Sequence, residues 1–230
     1  MSERILSIDI GGSKIKGSVL STEGEMLQDY MKLPTPAPAN PENVIKTMQE
    51  LANNFTFDKI ASGFPGYVRD GIVHTAPNLG TKEWAGINLA QQLTDIFQKP
   101  ARVINDADML GLGVVAGKGL ELMVTLGTGF GTALFLEGKL LPHLEIAHHP
   151  IKRELTYDQY IGDAALQDKG KEKWSTRVRF CFDVLKTVFN YDKLYIGGGN
   201  SRYLKFELEE NMVIVTNLQG IDGGAKLWKQ

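Results

Sequence analysis

The sequence predicts an α/β protein of two related lobes, each with a mixed sheet, holding ligand between them. Three observations carry that expectation. The stretch "ILSIDIGGSKIKGSVL" at 5–20 alternates apolar residues into a Gly-Gly turn and out of it again, so one strand enters a glycine tip and another leaves it. "LELMVTLGTGFGTALFLEGKLL" at 120–141 repeats the device around a Gly-Thr-Gly turn. Around both, strand-length apolar runs alternate with helical stretches, the pattern of layered α/β units.

The elements follow in order. "STEGEML" turns the first hairpin into a third strand, giving a meander over 5 to about 32. "LPTPAPANP" breaks regular structure, and Asn40-Pro41 caps a helix running to about Asn54. "IASGFPGYVRDGIVHTA" reads as a strand, an interruption containing Gly and Pro, and a hairpin turning at Asp70-Gly71. A helix from Asn88 to Phe97 leads to the strand "ARVIND", and "ADMLGLGVVAG" continues as a helix that its glycines weaken. After the second glycine hairpin come helices near 157–167 and 173–190, a strand "KLYIGGG", a helix from about Ser201, a strand "MVIVTN", and a last helix from about Gly220.

Bulk properties exclude several classes. With 230 residues, 25 basic and 27 acidic, the chain is long enough for two modest lobes and has no overall attraction to nucleic acid or a membrane surface. Cys181 is the single cysteine, so no intrachain disulfide forms; Val178, Phe182, Leu185 and Phe189 recur around it at helical spacing, the setting of a packed structural thiol. The start "MSERILSI" lacks the apolar core of a signal peptide, and no apolar run approaches spanning length, so a reduced cytoplasmic location is expected.

The first glycine tip poses a chemical question. Gly11 and Gly12 let backbone N–H groups approach a bulky anion, and Ser13 and Lys16 add a donor and a charge. Asp9 would repel a phosphate unless a divalent cation lies between them. The competing reading is an ordinary hairpin whose Asp satisfies local amides. A P-loop and a Rossmann fingerprint both need a helix after the glycines, whereas "SKIKGSVLS" alternates as a strand.

Taken together, Asp9-Gly11-Gly12, Asn105-Asp106-Ala107-Asp108, Gly127-Thr128-Gly129, Glu145-Ile146-Ala147-His148 and Gly197-Gly198-Gly199 resemble, in order and spacing, the ROK family of sugar kinases. Within it the likeness is strongest to polyphosphate/ATP-dependent glucokinases and spans nearly the whole chain. The resemblance implies a two-lobed actin/hexokinase-like (ribonuclease H-like) fold with an interlobe cleft. The lobes are expected at 1–105 and 106–217, with a C-terminal helix, 218–230, returning to the first. It also implies transfer of a phosphoryl group from polyphosphate or ATP to the 6-hydroxyl of glucose.

Residue by residue, Asp106 matches the general base, against the alternative of a helix cap at a strand-to-helix junction. Asn78, Asn105, Glu145 and His148 match positions that hydrogen-bond sugar hydroxyls; Asn78 alone is also a common turn residue, and His148 alone a common structural one. Gly11, Gly12, Ser13, Lys16, Thr128 and Gly129 match phosphate-gripping loops, and Asp9 matches the residue that organises Mg2+. Gly197, Gly198 and Gly199 match a loop beside adenosine, against a simple strand cap.

Departures from the family pattern narrow the reading. "PIKRELTYDQY" stands where many members carry a cysteine-rich zinc site, so zinc is not expected, and adjacent His148-His149 diverge too much to form a metal pair. Ala147 replaces the motif glycine; a requirement for positive φ there would strain the backbone. The alternatives are a catalytically degenerate sugar sensor, or a kinase for mannose or an N-acetylated amino sugar. The family's repressors carry an N-terminal helix-turn-helix, and the chain begins at the phosphate strand, so DNA binding is not expected. The expected partners are a sugar and a phosphate donor in a homodimer, with Lys14, Lys118, Lys139, Lys152 and Arg153 as candidates for a polyphosphate path.

Overall fold

The computed structural model describes residues 3–216 and 219–230. These divide into two compact units, residues 3–113 with 219–230, and residues 114–216.

In the first unit β1 (Arg4–Ile10) and β2 (Lys14–Ser21) form the predicted glycine-tipped hairpin, and β3 (Met31–Pro34) completes the meander. The third strand starts later than expected, because an isolated bridge between Leu20 and Met26 and an irregular stretch precede it. Helix α1 (Pro41–Ala52) is capped by Asn40, whose side chain accepts the Asn43 N–H at 2.9 Å, and it buries Val44, Ile45, Met48 and Leu51 at helical spacing. Strand β4 (Lys59–Phe64) precedes the ribbon β5 (Val68–Arg69) and β6 (Ile72–Val73), which turns through left-handed Asp70 and Gly71. Short α2 (Thr81–Trp84) follows, then α3 (Leu89–Phe97), whose Asn88 cap accepts the Gln91 N–H at 3.0 Å. Strand β7 (Ala101–Asn105) runs directly into α4 (Asp106–Val114). The sheet order is β3-β2-β1-β4-β7, antiparallel through the meander and parallel from β1 to β7.

The second unit repeats this topology. Strands β8 (Leu120–Leu126), β9 (Phe130–Leu136) and β10 (Lys139–Leu140) form its meander. A small ribbon, β11 (Pro150–Lys152) with β12 (Leu155–Thr156), leads to α5 (Tyr157–Ile161) and α6 (Asp163–Phe189). Strands β13 (Lys193–Gly197) and β14 (Met212–Ile214) complete the order β10-β9-β8-β13-β14. The duplicated strand order is the structural form of the internal echo in the sequence. Each unit has its own core: Leu6, Ile8, Ile60, Phe64 and Trp84 lie in the first, and Val124, Trp174, Cys181, Phe182 and Ile196 in the second. Burial pushes the Cys181 thiol up to about 12, as a packed thiol requires.

The helices placed near 157–167 and 173–190 are present as short α5 and the two helical segments of α6, which meet at non-helical Gly170 (φ 71°). One expectation is corrected. The helix expected from Ser201 is only a 3-10 turn, Ser201–Tyr203. Leu204, Phe206 and Leu208 pack on the core at every second position, a period that suits extended chain, and the Lys205 N–H is held by Ser175 Oγ at 2.7 Å. The lobe boundary expected at 105/106 compares with a division of the compact units after Gly113. Its cause is α7 (Gln219–Leu227): Gly220 and Gly223 let α7 pack on Leu110 and Met109 of α4, where a side chain at 223 would collide with the Met109 carbonyl.

Helix α7 also meets β1, the Ser7 hydroxyl donating to the Ile221 carbonyl at 2.7 Å, and Arg102 of β7 donates to the Leu227 carbonyl at 2.7 Å. Residues 1 and 2 of the expected first lobe, Asn217 at the end of the expected strand and Leu218 at the start of the expected last helix lie outside the described residues. Among the described residues no helix is long and apolar enough to cross a membrane.

Candidate functional site

In the first unit the carboxyl ends of three parallel strands carry the acidic residues. Register places Asp9 of β1 beside Gly63 of β4, and Gly63 beside Ile104 of β7, one step before Asn105 and Asp106. That edge of a parallel sheet is where ligands bind in α/β folds. Gly63 makes the arrangement possible, since a Cβ there would lie 3.3 Å from the Asp106 Cα and 3.4 Å from Met109 Sδ.

The glycine tip is built by close backbone approach, not by positive φ. The Gly11 N–H donates to the Lys14 carbonyl at 3.0 Å, and a Cβ at Gly11 would stand 2.9 Å from that oxygen. Thr35 ties the tip to β3, its hydroxyl donating to the Gly11 carbonyl at 2.6 Å and its N–H to the Ser13 carbonyl at 3.0 Å. A Cβ at Gly12 would meet the Asn78 Cβ at 3.8 Å, so the structure brings exposed Asn78 to the tip. Asp9 and Lys16 are paired across β1 and β2, with Oδ2 3.2 Å from Nζ.

Asn105, only 6% exposed, is the true cap of α4. Its Oδ1 accepts the N–H groups of Ala107 at 2.8 Å and Asp108 at 3.2 Å, and its Nδ2 donates to the Gly66 carbonyl at 3.1 Å. The cap weighed for Asp106 therefore belongs to its neighbour, although the Asp106 Oδ1 also accepts the Ala107 N–H at 2.8 Å.

In the second unit the two glycine loops predicted from sequence are neighbours. Gly198 sits at φ 86°, against the backbone of Leu126, where a side chain would collide with the Leu126 carbonyl. Asn200 binds them together: its N–H donates to the Leu126 carbonyl at 2.9 Å, and its Nδ2 to the Gly127 carbonyl at 3.2 Å and Asp163 Oδ1 at 3.1 Å. The Asp163 N–H reaches the Thr128 carbonyl at 3.2 Å, and Asp158 Oδ1 accepts the Phe130 N–H at 2.6 Å. Gly129 makes room for that carboxylate, since a Cβ there would stand 2.9 Å from it.

Beyond β10, Ala147 lies in a 3-10 turn, Ile146–His148, and is not among the left-handed residues. The replaced motif glycine thus imposes no strain. The turn presents Glu145, with Oε1 3.3 Å from His143 Nε2 and Oε2 3.7 Å from His148 Nε2. Burial raises the Asp158 carboxyl above its ordinary value; the Phe130 N–H and His148 pull it down, and Glu145 pushes it up. Asp158 therefore joins the Gly-Thr-Gly turn electrostatically to Glu145 and His148.

Gly63, Thr35, Asp158, Asp163 and Asn200 were not singled out by sequence, and each works through a partner distant in the chain. Of the basic candidates, Lys118 and Lys139 sit beside the touching backbones of Gly117 and Gly138, while Lys152 lies over the Phe180 and Tyr160 rings. Among the described residues, no group of three or more His, Cys, Asp and Glu is arranged to hold a metal ion. Asp9 beside the glycine tip still fits Mg2+, which is bound through one or two carboxylates together with substrate phosphates and water.

Known proteins give the same picture. The chain is 36% identical over 213 residues to a polyphosphate glucokinase of Mycobacterium leprae (strain TN), covering 86% of this chain and 64% of that relative. It is 34% identical over 205 residues to a polyphosphate glucokinase of Mycobacterium tuberculosis (strain CDC 1551 / Oshkosh), covering 85% and 77%. The chain thus spans just under two thirds of the first relative's length. The inorganic polyphosphate/ATP-glucomannokinase of Arthrobacter sp. strain KM superposes with a TM-score of 0.87 over 98% of both chains at 29% identity. A ROK glucokinase of Streptomyces griseus, solved with glucose and AMPPNP, shares the fold at 19% identity, with a TM-score of 0.77 over 97% and 98% of the two chains. The fold is therefore the actin/hexokinase-like one expected from the sequence. The ROK family model matches residues 5–152, most of the chain, and with these relatives and this sheet topology the chain belongs to the ROK family.

Proposed function

We propose that this protein is a sugar kinase transferring a phosphoryl group from polyphosphate or ATP to the 6-hydroxyl of glucose. The observation that carries the reading is the line of Asp9, Gly63 and Asp106 along the carboxyl edge of β1, β4 and β7, beside a glycine tip. The names of the mycobacterial relatives and of the Arthrobacter structure support it.

In this reading Asp106 accepts the proton of the attacking hydroxyl. A carboxylate is a weak base, so its larger contribution is to orient that oxygen toward phosphorus. Asn78, Glu145 and His148 hold sugar hydroxyls. Asn105 keeps one Nδ2 hydrogen for the sugar, since its oxygen and other hydrogen serve the Ala107 and Asp108 amides and Gly66. Leaving such a group unpaired costs roughly 1–3 kcal/mol, which is the source of sugar selectivity. The phosphates are gripped by Gly11, Gly12, Ser13 and Lys16, with Thr128 and Gly129. Gly197 to Gly199 flank adenosine when ATP is the donor. Asp9 is the residue for Mg2+, which when bound neutralises phosphate charge. A homodimer and a cytoplasmic place of work belong to the same proposal.

The test is direct. Purified protein with Mg2+, a panel of hexoses and N-acetylated amino sugars, and either ATP or polyphosphate is assayed for sugar phosphate. Glucose 6-phosphate formation is expected. Turnover confined to another sugar moves the assignment to that sugar, and absence of turnover with every pair refutes the kinase reading.

A further inference from the structure

Glu145 is flanked by two histidines that differ sharply in burial, and only His143 is within hydrogen-bond distance of it. His143, on its Oε1 side, has a side chain only 7% exposed, whereas His148, on its Oε2 side, is 52% exposed, and Glu145 itself is 28% exposed. The backbone between them is pinned: the Leu144 carbonyl accepts the Thr132 hydroxyl at 3.0 Å and the Ile146 N–H at 2.9 Å, and the His148 N–H donates to the Glu145 carbonyl at 3.2 Å. What the backbone leaves undetermined is rotation of the Glu145 carboxylate about its side-chain bonds. An exposed ring that itself serves a ligand cannot fix that rotation, because it moves when the ligand arrives. A nearly buried ring can.

Resting on the assignment of Glu145 and His148 to the sugar, we propose that His143 is a positioning residue for sugar binding, its imidazole holding the Glu145 carboxylate in the rotamer that receives two hydroxyls. A carboxylate has about four acceptor sites, so one used by His143 leaves both oxygens able to take a hydroxyl. The two histidines divide the work: His143 orients the acceptor, and His148 remains available to the ligand. The ring is two residues before Glu145, outside the motif that carries the family resemblance.

His143→Ala and His143→Gln test this, the second retaining an N–H donor near the Nε2 position. In His143→Ala the sugar KM is expected to rise about tenfold with the donor KM within about twofold, and His143→Gln to stay within about threefold of wild type, as loss and rescue of a preorganised contact require. An unmoved sugar KM in His143→Ala, or equal loss in both variants, overturns the proposal. A second measurement stands apart from turnover: imidazole titrations by 15N NMR in wild type and Glu145→Gln. Removing the carboxylate charge is expected to lower the His143 midpoint by roughly half a unit or more, because a nearby anion favours the charged ring; an unmoved midpoint also overturns it. If wild type phosphorylates no sugar, the kinase reading falls, and the titration alone decides whether His143 holds Glu145.

Discussion

Asn105 caps the helix that Asp106 begins, its Oδ1 lying 2.8 Å from the Ala107 nitrogen and 3.2 Å from that of Asp108. Strand end, cap and acid thus follow one another without a loop, and the position of Asp106 is inherited from β7 and α4. Asn105→Ala removes the cap and the bond to Gly66 together. Stability is expected to fall by about 1–2 kcal/mol, which for a chain of this size lowers Tm by roughly 2–8 °C. Asn105→Asp, which keeps the capping oxygen, is expected to lose less. Thermal unfolding followed by circular dichroism checks both, and equal Tm values for wild type and Asn105→Ala would refute the capping role.

Gly63 is where the sheet admits the start of α4. A methyl group at this position, 3.3 Å from the Asp106 Cα, displaces the acid by a few tenths of an ångström or more. If Asp106 is the base, Gly63→Ala is expected to lower kcat about tenfold or more while the sugar KM changes little, since small misplacements of a reacting group are costly. Steady-state kinetics decide, and an unchanged kcat would contradict the placement.

Lys16 and Asp9 form a partly exposed pair, with side chains 22% and 27% accessible. Such pairs contribute about 0–1 kcal/mol, so Lys16→Met is expected to leave the denaturation midpoint nearly unchanged. If Lys16 grips the donor, the same variant raises the donor KM about tenfold, the size of one charge-assisted contact. A large stability loss with an unchanged donor KM would make the lysine structural.

Asp158 gives a pH dependence with a definite sign. Burial raises its pKa above 3.8, the Phe130 N–H and His148 offsetting part of the rise and Glu145 adding to it. An acid whose pKa is raised on folding stabilises the folded state while protonated. That contribution is present below the ordinary value and is lost as pH rises through the raised one. Asp158→Asn keeps an acceptor for Phe130 and cannot titrate. Denaturant unfolding from pH 3 to 7 is therefore expected to give a wild-type minus variant stability that falls with rising pH. A difference that is flat or rises contradicts the burial effect.

Local chemistry was legible in the sequence, and distant contacts were not. The glycine hairpins and the Asn40 cap depend on residues within a few positions of one another, so pattern alone located them. Asn105 and Asp106 are both capping residue types, so the sequence offers the cap to either and only geometry assigns it to Asn105. The helix expected at Ser201 failed because tertiary packing of Leu204, Phe206 and Leu208 overrode local pattern. The unit boundary depends on Gly223 meeting Met109, and the glycine turn on Asn200 meeting Gly127. No window of sequence holds either pair.

The most direct measurement compares wild type with Asp106→Asn, nearly isosteric and uncharged, for sugar binding by calorimetry and for sugar phosphate formed with Mg2+ and either donor. If Asp106 is the base, turnover falls about a hundredfold or more, the typical worth of positioned acid–base catalysis, while sugar affinity stays within about threefold. Turnover equal to wild type would contradict the assignment.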